Sequence, residues 1–397
     1  MTDTTGWDVP PQQSWVRGER PDAPVAFDEA DGVWTIYGHE EAATALADPK
    51  TFSSAHVNDL FPIDVPADAN AGNLLDLDPP DHRKLRNLVT KGFSAKVVAD
   101  LEPRIARLTH ELLDAVEGDR LELVETLAHP LPVIVIAELL GLPPADRELF
   151  RGWVDVLFSQ QNNPFSTTVD RADLEAELAA RAEAVGPLFE YLREHAVARR
   201  RDPREDLISA LVQAEVDGQR LTDAELVNFC GVLLIAGHIT TTMLLGNTVL
   251  CLDAHPDQRE RLRADRAGIP TAIEESLRFL TPFSTMARAT TRAVALGGVE
   301  IPADRMVQVS LGAANRDPRR FADPDVFDAR RDPNPHLGFG RGIHFCVGAP
   351  LARLEGRVAV DILLDRFPAL RVDPEHRPTF MPSPMMTGVR TLNLRTA

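Results

Sequence analysis

Cys346 is the residue in this sequence with the clearest potential for chemistry. It lies alone in a glycine-rich loop, with Gly342 before it and Gly348 after it. Pro350 favours the first turn of a helix that continues to about Val360, because a proline there leaves no amide hydrogen unsatisfied. The partial positive charge at the start of that helix favours a thiolate. Cys346 is therefore a candidate metal ligand, and a small buried cysteine in a tight turn is the alternative interpretation.

The other two cysteines do not form a site with Cys346. Cys230 and Cys251 fall in one predicted helix, where they lie about 31 Å apart and cannot pair or share a metal. Three cysteines in a chain of 397 residues do not make a disulfide framework. This cysteine usage predicts a reducing, cytoplasmic setting.

The residues around Cys346 follow the pattern Phe-x-x-Gly-x-His-x-Cys-x-Gly, with Phe339, Gly342, His344, Cys346 and Gly348 at the fixed positions. This pattern resembles the haem-binding loop of the cytochrome P-450 family in its bacterial form, in which a cysteine thiolate holds the iron. The resemblance extends from about residue 30 to the carboxyl end. It implies haem b (iron protoporphyrin IX) as cofactor, with Cys346 as the metal ligand and Phe339, His344 and Gly348 at the cofactor.

Within a long apolar segment, the run Ala236-Gly237-His238-Ile239-Thr240-Thr241 resembles the oxygen-binding groove of the same family. The resemblance implies that Gly237 makes room for dioxygen beside Ala236. It also implies that Thr240, with Thr241 next to it, offers a hydroxyl to bound oxygen. The alternative is that these hydroxyl groups bond back to their own helix and only bend it.

One position in this groove departs from the family pattern. The family usually carries an acidic residue directly before the threonine, and this chain has Ile239 there. Isoleucine cannot deliver a proton, although the reduction of oxygen consumes two. We therefore expect protons to arrive through water ordered by Thr240 and Thr241, with help from His238.

Haem carries two propionates, which need cationic partners in an acidic protein. His82 and Arg86 are four residues apart and share one helix face. By resemblance, these two residues together with Arg288 and His344 bind the propionates. The alternative interpretation of His82 and Arg86 is a basic stripe on a surface helix.

Glu275 and Arg278 place a carboxylate and a guanidinium three residues apart on one helix face. Most such pairs are solvated surface contacts. In the resembled family, however, this motif is locked by a third residue, an arginine. Arg331 fits that position better than its neighbour Arg330, and the resemblance implies a structural role beneath the haem loop.

The elements that must position these residues are mainly helical. Helical patterns dominate from Asp81 to Asp365, and the strand-like runs are 32–37, 293–311 and 390–394. Thr222 and Glu225 form a capping box that starts the longest helix, which is apolar nearly all round and continues to about residue 252. We expect a mainly α fold with a minor β component. Residues 1–30 are expected to be an irregular segment, and 31–397 one haem-binding domain. The resemblance implies the family's prism, with haem between the long helix and the Cys346 loop.

The composition excludes some kinds of partner. Asp and Glu number 60 against 42 Lys and Arg, a net charge of −18, so the chain is a poor candidate for nucleic acid or an anionic membrane. The apolar run 226–252 contains Asn228 and Asn247, which are costly to bury in lipid. We expect it to be a buried helix, and the first eight residues do not read as a signal peptide. We expect a monomer without nucleic-acid or membrane partners.

The resemblance implies a monooxygenase that inserts one atom of O2 into a small organic substrate, by hydroxylation or epoxidation. Electrons from NAD(P)H would arrive through a ferredoxin reductase and a ferredoxin, which would dock near Arg341, Arg353 and Arg357. A peroxide-using peroxygenase and a catalytically silent binding partner are the alternatives. The substrate is expected from bacterial secondary metabolism, such as a macrolide or another polyketide. The candidate substrate contacts are Leu74, Leu75, Phe158, Leu233, Ser284, Thr285, Met286, Met385 and Met386.

Overall fold

The computed structural model describes residues 1–397 apart from 1, 3, 5, 61–70, 93–94, 147, 151, 154–165, 168–170 and 217. Phe158, a candidate substrate contact, lies outside the described residues. The helices are α1 His39–Ala47, α2 His56–Asp59, α3 Asp81–Gly92, α4 Ala95–Asp100, α5 Glu102–Asp114, α6 Pro130–Leu140, α7 Arg171–Arg201, α8 Leu207–Gln213, α9 Asp223–Asp253, α10 Pro256–Ala264, α11 Ile269–Phe279, α12 Leu311–Ala314 and α13 Ala349–Arg366.

Strands and single turns of tighter or wider helix complete the fold. The strands are β1 Val25–Asp28, β2 Val33–Ile36, β3 Phe52–Ser53, β4 Arg120–Glu122, β5 Glu215–Val216, β6 Gln219–Arg220, β7 Thr285–Thr290, β8 Val294–Leu296, β9 Val299–Ile301, β10 Met306–Ser310, β11 Arg371–Val372, β12 Thr379–Phe380, β13 Val389–Thr391 and β14 Asn393–Arg395. The 3-10 turns are Pro11–Arg17, Leu74–Asp76, Pro144–Asp146, Arg266–Gly268 and Gly342–His344, and Val124–Ala128 is a π-helical turn. The prediction of a mainly helical chain with minor sheet is confirmed.

The central helix α9 organises the helical part of the molecule. Its start is fixed by the predicted capping box, in which the Glu225 amide donates to the Thr222 hydroxyl (3.2 Å) and the Thr222 amide donates to the Glu225 carboxylate (2.8 Å). Helices α6, α7, α11 and α13 all pack against it. In the described part of the chain, α9 is the one helix long and apolar enough to cross a membrane, and 72% of its most apolar window is buried inside the protein.

The largest sheet lies beside this helical bundle and has the strand order β1-β2-β10-β7-β3. Strand β2 runs parallel to β10, and the other neighbours are antiparallel. The turn between β1 and β2 needs Gly32, whose φ of 68° lies in the left-handed region. The predicted strand in 32–37 is therefore confirmed.

The amino-terminal segment differs from its expected irregular course. Residues 1–30 include the 3-10 turn Pro11–Arg17 and the strand β1. Strand β1 is only four residues long, and only Val25 among them is buried. A segment this short shows too little alternation of apolar and polar residues to be predicted as a strand. Its conformation comes from pairing with β2 across the Gly32 turn, which is a tertiary effect that local pattern does not show.

Helix α13 carries an unusual buried carboxyl group. The Glu355 side chain is almost completely buried, and its Oε2 atom has no hydrogen-bond partner within the described part of the chain. Burial raises the pKa of Glu355 to about 8, whereas an unfolded chain releases this proton near about 4.3. Between these values the folded protein holds a proton that the unfolded chain has lost. Folding stability therefore falls as the pH rises through this interval.

We expect Glu355→Gln to raise the Tm of the protein more at about pH 8 than at about pH 5, because the amide removes this proton linkage. Thermal unfolding of wild type and variant across that range measures the difference. Asp365→Asn is the control, since Asp365 is exposed on the same helix. Parallel Tm curves for wild type and Glu355→Gln would contradict the prediction.

Candidate active site

The Cys346 loop is held in shape by a backbone hydrogen bond and a close contact with α1. The Cys346 amide donates to the Phe339 carbonyl oxygen at 2.9 Å. Gly342 has a φ of 71°, and a Cβ atom there would lie 2.5 Å from the Leu46 carbonyl oxygen. Only glycine fits this turn without displacing backbone. Helix α13 begins directly after Gly348, with Pro350 in its first turn as the sequence predicts.

Two opposing effects act on the Cys346 sulfur. Burial raises the pKa of the thiol, while hydrogen bonds from the Gly348 and Ala349 amides and the charges of Arg86 and Arg353 lower it. Burial prevails, so the helix end alone does not produce the thiolate that the sequence suggested. A cation bound to the sulfur would supply the missing stabilisation, because metal ligation requires and favours the deprotonated form.

Basic side chains from three parts of the chain meet beside this loop. The imidazole rings of His82 and His344 are 4.4 Å apart between centroids. The His344 Nε2 atom lies 3.1 Å from the Ser54 hydroxyl oxygen. Arg86 donates to the Phe345 carbonyl oxygen at 2.7 Å. Arg288 donates from Nη1 to the Ala287 carbonyl oxygen at 2.6 Å.

The positive charge of this cluster is only partly balanced, by the carboxylates of Asp76 and Asp78 near Arg288. The Nε2 atom of His82 and the Nη2 atom of Arg288 are buried without a hydrogen-bond partner among the described residues. Burial, with the charges of Arg288, His82 and Arg86, lowers the pKa of His344 to about 3. Burial also lowers the pKa of Arg288 to about 10. An anionic group placed here would satisfy the free nitrogen atoms and relieve the repulsion.

The central helix borders an open space where the oxygen groove was expected. Ala236 is exposed and Thr240 half-buried, although most residues of α9 around them are buried. The Thr240 hydroxyl donates to the Ala236 carbonyl oxygen at 2.7 Å, which is the bond back to the helix considered as the alternative. This bond uses the hydroxyl hydrogen and leaves the oxygen able to accept another.

Gly237 has a different surrounding from the one expected. A Cβ atom at Gly237 would lie 3.2 Å from the Ile136 side chain of α6. The missing side chain therefore lets α6 and α9 approach closely, and the space at that point is already filled. The open side of the helix lies at Ala236 and Thr240 instead.

An apolar cluster lies next to this open side. Ile239, Met243 and Met386 form its buried centre, and Ile235, Phe283, Met381 and Met385 pack against them. The backbones of Phe283 and Met386 form a β-bridge, and the Ser284 hydroxyl and amide both donate to the Met385 carbonyl oxygen, at 2.9 and 2.7 Å. Ser284, Met385 and Met386 were predicted from the sequence as substrate contacts, whereas Ile235, Ile239 and Phe283 were not. The spacing of Ile235, Ile239 and Met243, four residues apart, marks one helix face and was the available signal.

The other candidate substrate contacts are not gathered at this cluster. Leu74 and Leu233 are buried in the main hydrophobic core, and the Leu75 side chain is 50% exposed. Thr285 and Met286 belong to β7 and are half-buried, a strand that the sequence analysis did not predict. The apolar cluster therefore forms from fewer of the predicted residues than expected.

Glu275, Arg278 and Arg331 form a buried triad. Arg278 donates to both Glu275 carboxylate oxygens at 2.7 Å, and the Arg331 Nε atom lies 3.1 Å from both. Arg278 also donates to three backbone carbonyl groups, those of Asn315, Pro324 and Val326. The triad therefore ties α11 to the segment that leads into the Cys346 loop. Arg330 is exposed and takes no part in it.

The site has a cysteine loop, a cluster of buried basic groups with nitrogen atoms unpartnered among the described residues, and a helix open at one face. Together these features define the class of a haem-thiolate enzyme. Comparison with known proteins supports the same class. The family model described as "Cytochrome P450" matches residues 27–395. The chain belongs to the cytochrome P450 family.

Characterised relatives are similar over most of their length. Cyclomarin C epoxidase CymV of Salinispora arenicola is 47% identical, over 90% of this chain and 89% of that protein. Erythromycin C-12 hydroxylase of Saccharopolyspora erythraea is 45% identical, over 90% and 88%. The crystal structure of HmtT, involved in himastatin biosynthesis, is 53% identical with a TM-score of 0.89, and all of both chains are covered. The protein is a cytochrome P450 monooxygenase with a haem cofactor, and the predicted fold is confirmed.

We expect Arg331→Lys to destabilise the haem-loaded protein by about 2 kcal/mol, because one ammonium group cannot replace a guanidinium that bonds the Glu275 carboxylate and two backbone carbonyl groups at once. Chemical denaturation followed by circular dichroism measures the loss. Arg330→Lys is the matched control and should be nearly neutral. Equal effects of the two substitutions would contradict a special role for Arg331.

Proposed function

We propose that this P450 adds one oxygen atom from O2 to a C–H or C=C bond of a bulky, largely apolar secondary metabolite, such as a macrolide or another polyketide. The observation that carries the proposal is the methionine-rich cluster beside the open side of α9. Methionine side chains adapt to irregular apolar shapes. The relatives include a cyclomarin C epoxidase and an erythromycin C-12 hydroxylase, which supports the same class of reaction.

The basic cluster fits the carboxylates of haem. We assign His82, Arg86, Arg288 and His344 to the propionates, because two of these groups have buried nitrogen atoms without a partner. Cys346 would hold the iron, and Phe339 and Gly348 of the same loop would contact the cofactor. Bound haem supplies the activation of dioxygen, which is favoured by electron donation from the thiolate.

The remaining residues of the site position oxygen and substrate. Thr240 is placed to accept a hydrogen bond from a water molecule beside the oxygen site, because its own hydrogen already bonds to Ala236. Thr241 lies buried beside it, and Gly237 acts by bringing α6 close. Phe283, Met385 and Met386 form an apolar wall that orients the substrate and excludes water. We also propose that the protein works in the cytoplasm, since its three cysteines are free.

The function is tested by screening macrolides, other polyketides and cyclic peptides for a binding-induced spin-state change of the haem. Compounds that bind are then incubated with ferredoxin, ferredoxin reductase and NADPH, and mass spectrometry measures the gain of one oxygen atom. We expect binding and oxidation of at least one apolar macrocycle. Binding confined to small polar compounds would contradict the substrate class.

Ile239 at the position of the usual acid favours a second function, a peroxygenase that uses hydrogen peroxide directly. Its side chain packs in the apolar cluster, so it provides no proton donor at this position. Turnover with peroxide compared with turnover with ferredoxin and NADPH separates the two functions. A faster reaction with ferredoxin supports the monooxygenase, and activity with peroxide alone supports the peroxygenase.

The electron donor is proposed to be a small acidic ferredoxin that docks beside the Cys346 loop. Of the three arginines expected there, Arg353 donates from Nε and Nη2 to the Glu274 carboxylate, both at 2.7 Å. Its guanidinium also stacks on the Phe339 ring. Arg357 donates to Glu102 at 2.5 Å. Arg341 is exposed and has no ion pair in the part of the chain that the structure describes. Arg341 is thus the strongest candidate for a docking contact.

We expect Arg341→Glu to raise the KM for ferredoxin several-fold at low salt, because the substitution removes one favourable charge contact with the acidic partner. The effect should shrink as ionic strength rises. Arg357→Gln is the comparison, because the Arg357 charge is already compensated by Glu102. Stopped-flow reduction of the haem measures both variants, and equal effects would contradict the assignment.

A further inference from the structure

Two buried histidines touch each other directly behind the oxygen-binding segment of α9. His238 is 1% exposed and His129 is 8% exposed. Their ring centroids are 4.4 Å apart and the ring planes are nearly perpendicular, at 85°. His238 follows Gly237 in α9, and His129 stands between the π-helical turn Val124–Ala128 and the start of α6. Such π-helical turns are frequent at functional sites.

His129 also reaches the surface through an acidic groove. It lines an open groove of about 420 Å³. The charged residues that line this groove with it are Glu111, Glu117, Arg120, Glu122, Glu125 and Glu148. The Arg120 guanidinium already bonds to Glu375 at 3.0 Å, so carboxylates set the sign of the potential. A groove of this charge concentrates protons and other cations near His129.

The other side of α9 offers no such connection. Ile239 faces a cluster of isoleucine, methionine and phenylalanine side chains, none of which can carry a proton. The position that usually holds the acid is therefore surrounded by apolar side chains in this protein. The imidazole of histidine exchanges protons near neutral pH and can accept on one nitrogen while releasing from the other.

We propose that His129 and His238 pass protons from the acidic groove to the oxygen-binding segment of α9. This rests on the proposed role of Ala236 and Thr240 in holding oxygen. His238 hands its proton to water near Thr241, which lies three residues further along and on the same helix face. The perpendicular rings require a small rotation of one imidazole, or one bridging water, for each transfer.

The balance of the reaction shows when this route is needed. With dioxygen, R–H + O2 + 2 e⁻ + 2 H⁺ gives R–OH + H2O, so two protons must come from solvent. With peroxide, R–H + H2O2 gives R–OH + H2O, and no net proton is taken up. A proton route therefore matters for the first reaction and not for the second. His129 and His238 act as positioning residues for protons and do not touch the substrate.

The first test compares the two oxidants in His129→Gln and His238→Gln, with 7-ethoxycoumarin as the probe substrate. With ferredoxin and NADPH, we expect the fraction of electrons recovered in product to fall at least about tenfold, as for loss of a general acid. Release of hydrogen peroxide should rise and the solvent isotope effect should change. Peroxide-driven turnover should stay within about twofold of wild type, since that reaction needs no solvent proton. His195→Gln, which removes a histidine that packs on Tyr191, is the control and should behave as wild type.

The second test does not depend on turnover. Nitrogen-15 NMR of the reduced carbon monoxide complex measures how fast the ring N–H hydrogen of His238 exchanges with D2O. We expect His129→Gln to slow this exchange at least about tenfold, because the connection to the groove is cut. His195→Gln should leave the exchange rate unchanged.

The outcomes separate the relay from the proposed function. Unchanged coupling and unchanged exchange in His129→Gln would overturn the relay, and so would equal losses with both oxidants. If wild type forms no product from any compound of the spin-state screen with either oxidant, the proposed function fails. The exchange measurement then still decides whether His129 connects His238 to solvent.

Discussion

The structure depends on one electrostatic constraint, the need to compensate basic groups that are buried around the Cys346 loop. His82 and Arg288 each keep a buried nitrogen without a partner among the described residues, and burial raises the pKa of the Cys346 thiol. Either feature alone would destabilise a folded protein. Together they fit a single ligand that carries both carboxylates for the basic groups and a metal cation for the sulfur. Haem has both, so binding of the cofactor and folding of this region stabilise each other.

Contacts elsewhere in the fold hold the Cys346 loop and the basic cluster in position. The triad of Glu275, Arg278 and Arg331 ties α11 to the chain that leads into the loop, and the contact of Gly342 with Leu46 fixes the loop against α1. On the other side, Gly237 lets α6 pack closely on α9. The consequence is a rigid frame whose open face is confined to the stretch around Ala236 and Thr240. Rigid support of this kind is what a reactive site requires.

Local sequence patterns predicted the parts that depend on neighbouring residues. The capping box of Thr222 and Glu225 and the loop before Pro350 are read from short spacings, and the structure has both in that arrangement. The choice of Arg331 over Arg330 came from the family resemblance, and Arg331 is the residue that bonds to Glu275. Long-range contacts were not predictable in this way. Arg357 donates to Glu102, which is 255 positions away in the sequence. The charge of Arg357 is therefore already paired, and this residue is a weaker docking candidate than the sequence indicated.

The surroundings of the central helix show the same limit. Gly237 was expected to leave space for oxygen, whereas Ile136 fills that space from another helix. The contact between His129 and His238 joins residues whose separate positions in the sequence gave no reason to connect them. In each case the sequence showed the spacing of residues along α9. It did not show which other element packs against that helix. Tertiary packing therefore decides which face of an apolar helix does chemistry.

The central claim is that Cys346 supplies the thiolate to haem iron, and the carbon monoxide difference spectrum of the reduced protein tests it most directly. Wild type should show the absorption band that gives the P450 family its name. In Cys346→Ser, the protein should retain its fold by circular dichroism and lose that band. If the band persists in the serine variant, or if wild type expressed with ample haem remains colourless, the account is contradicted.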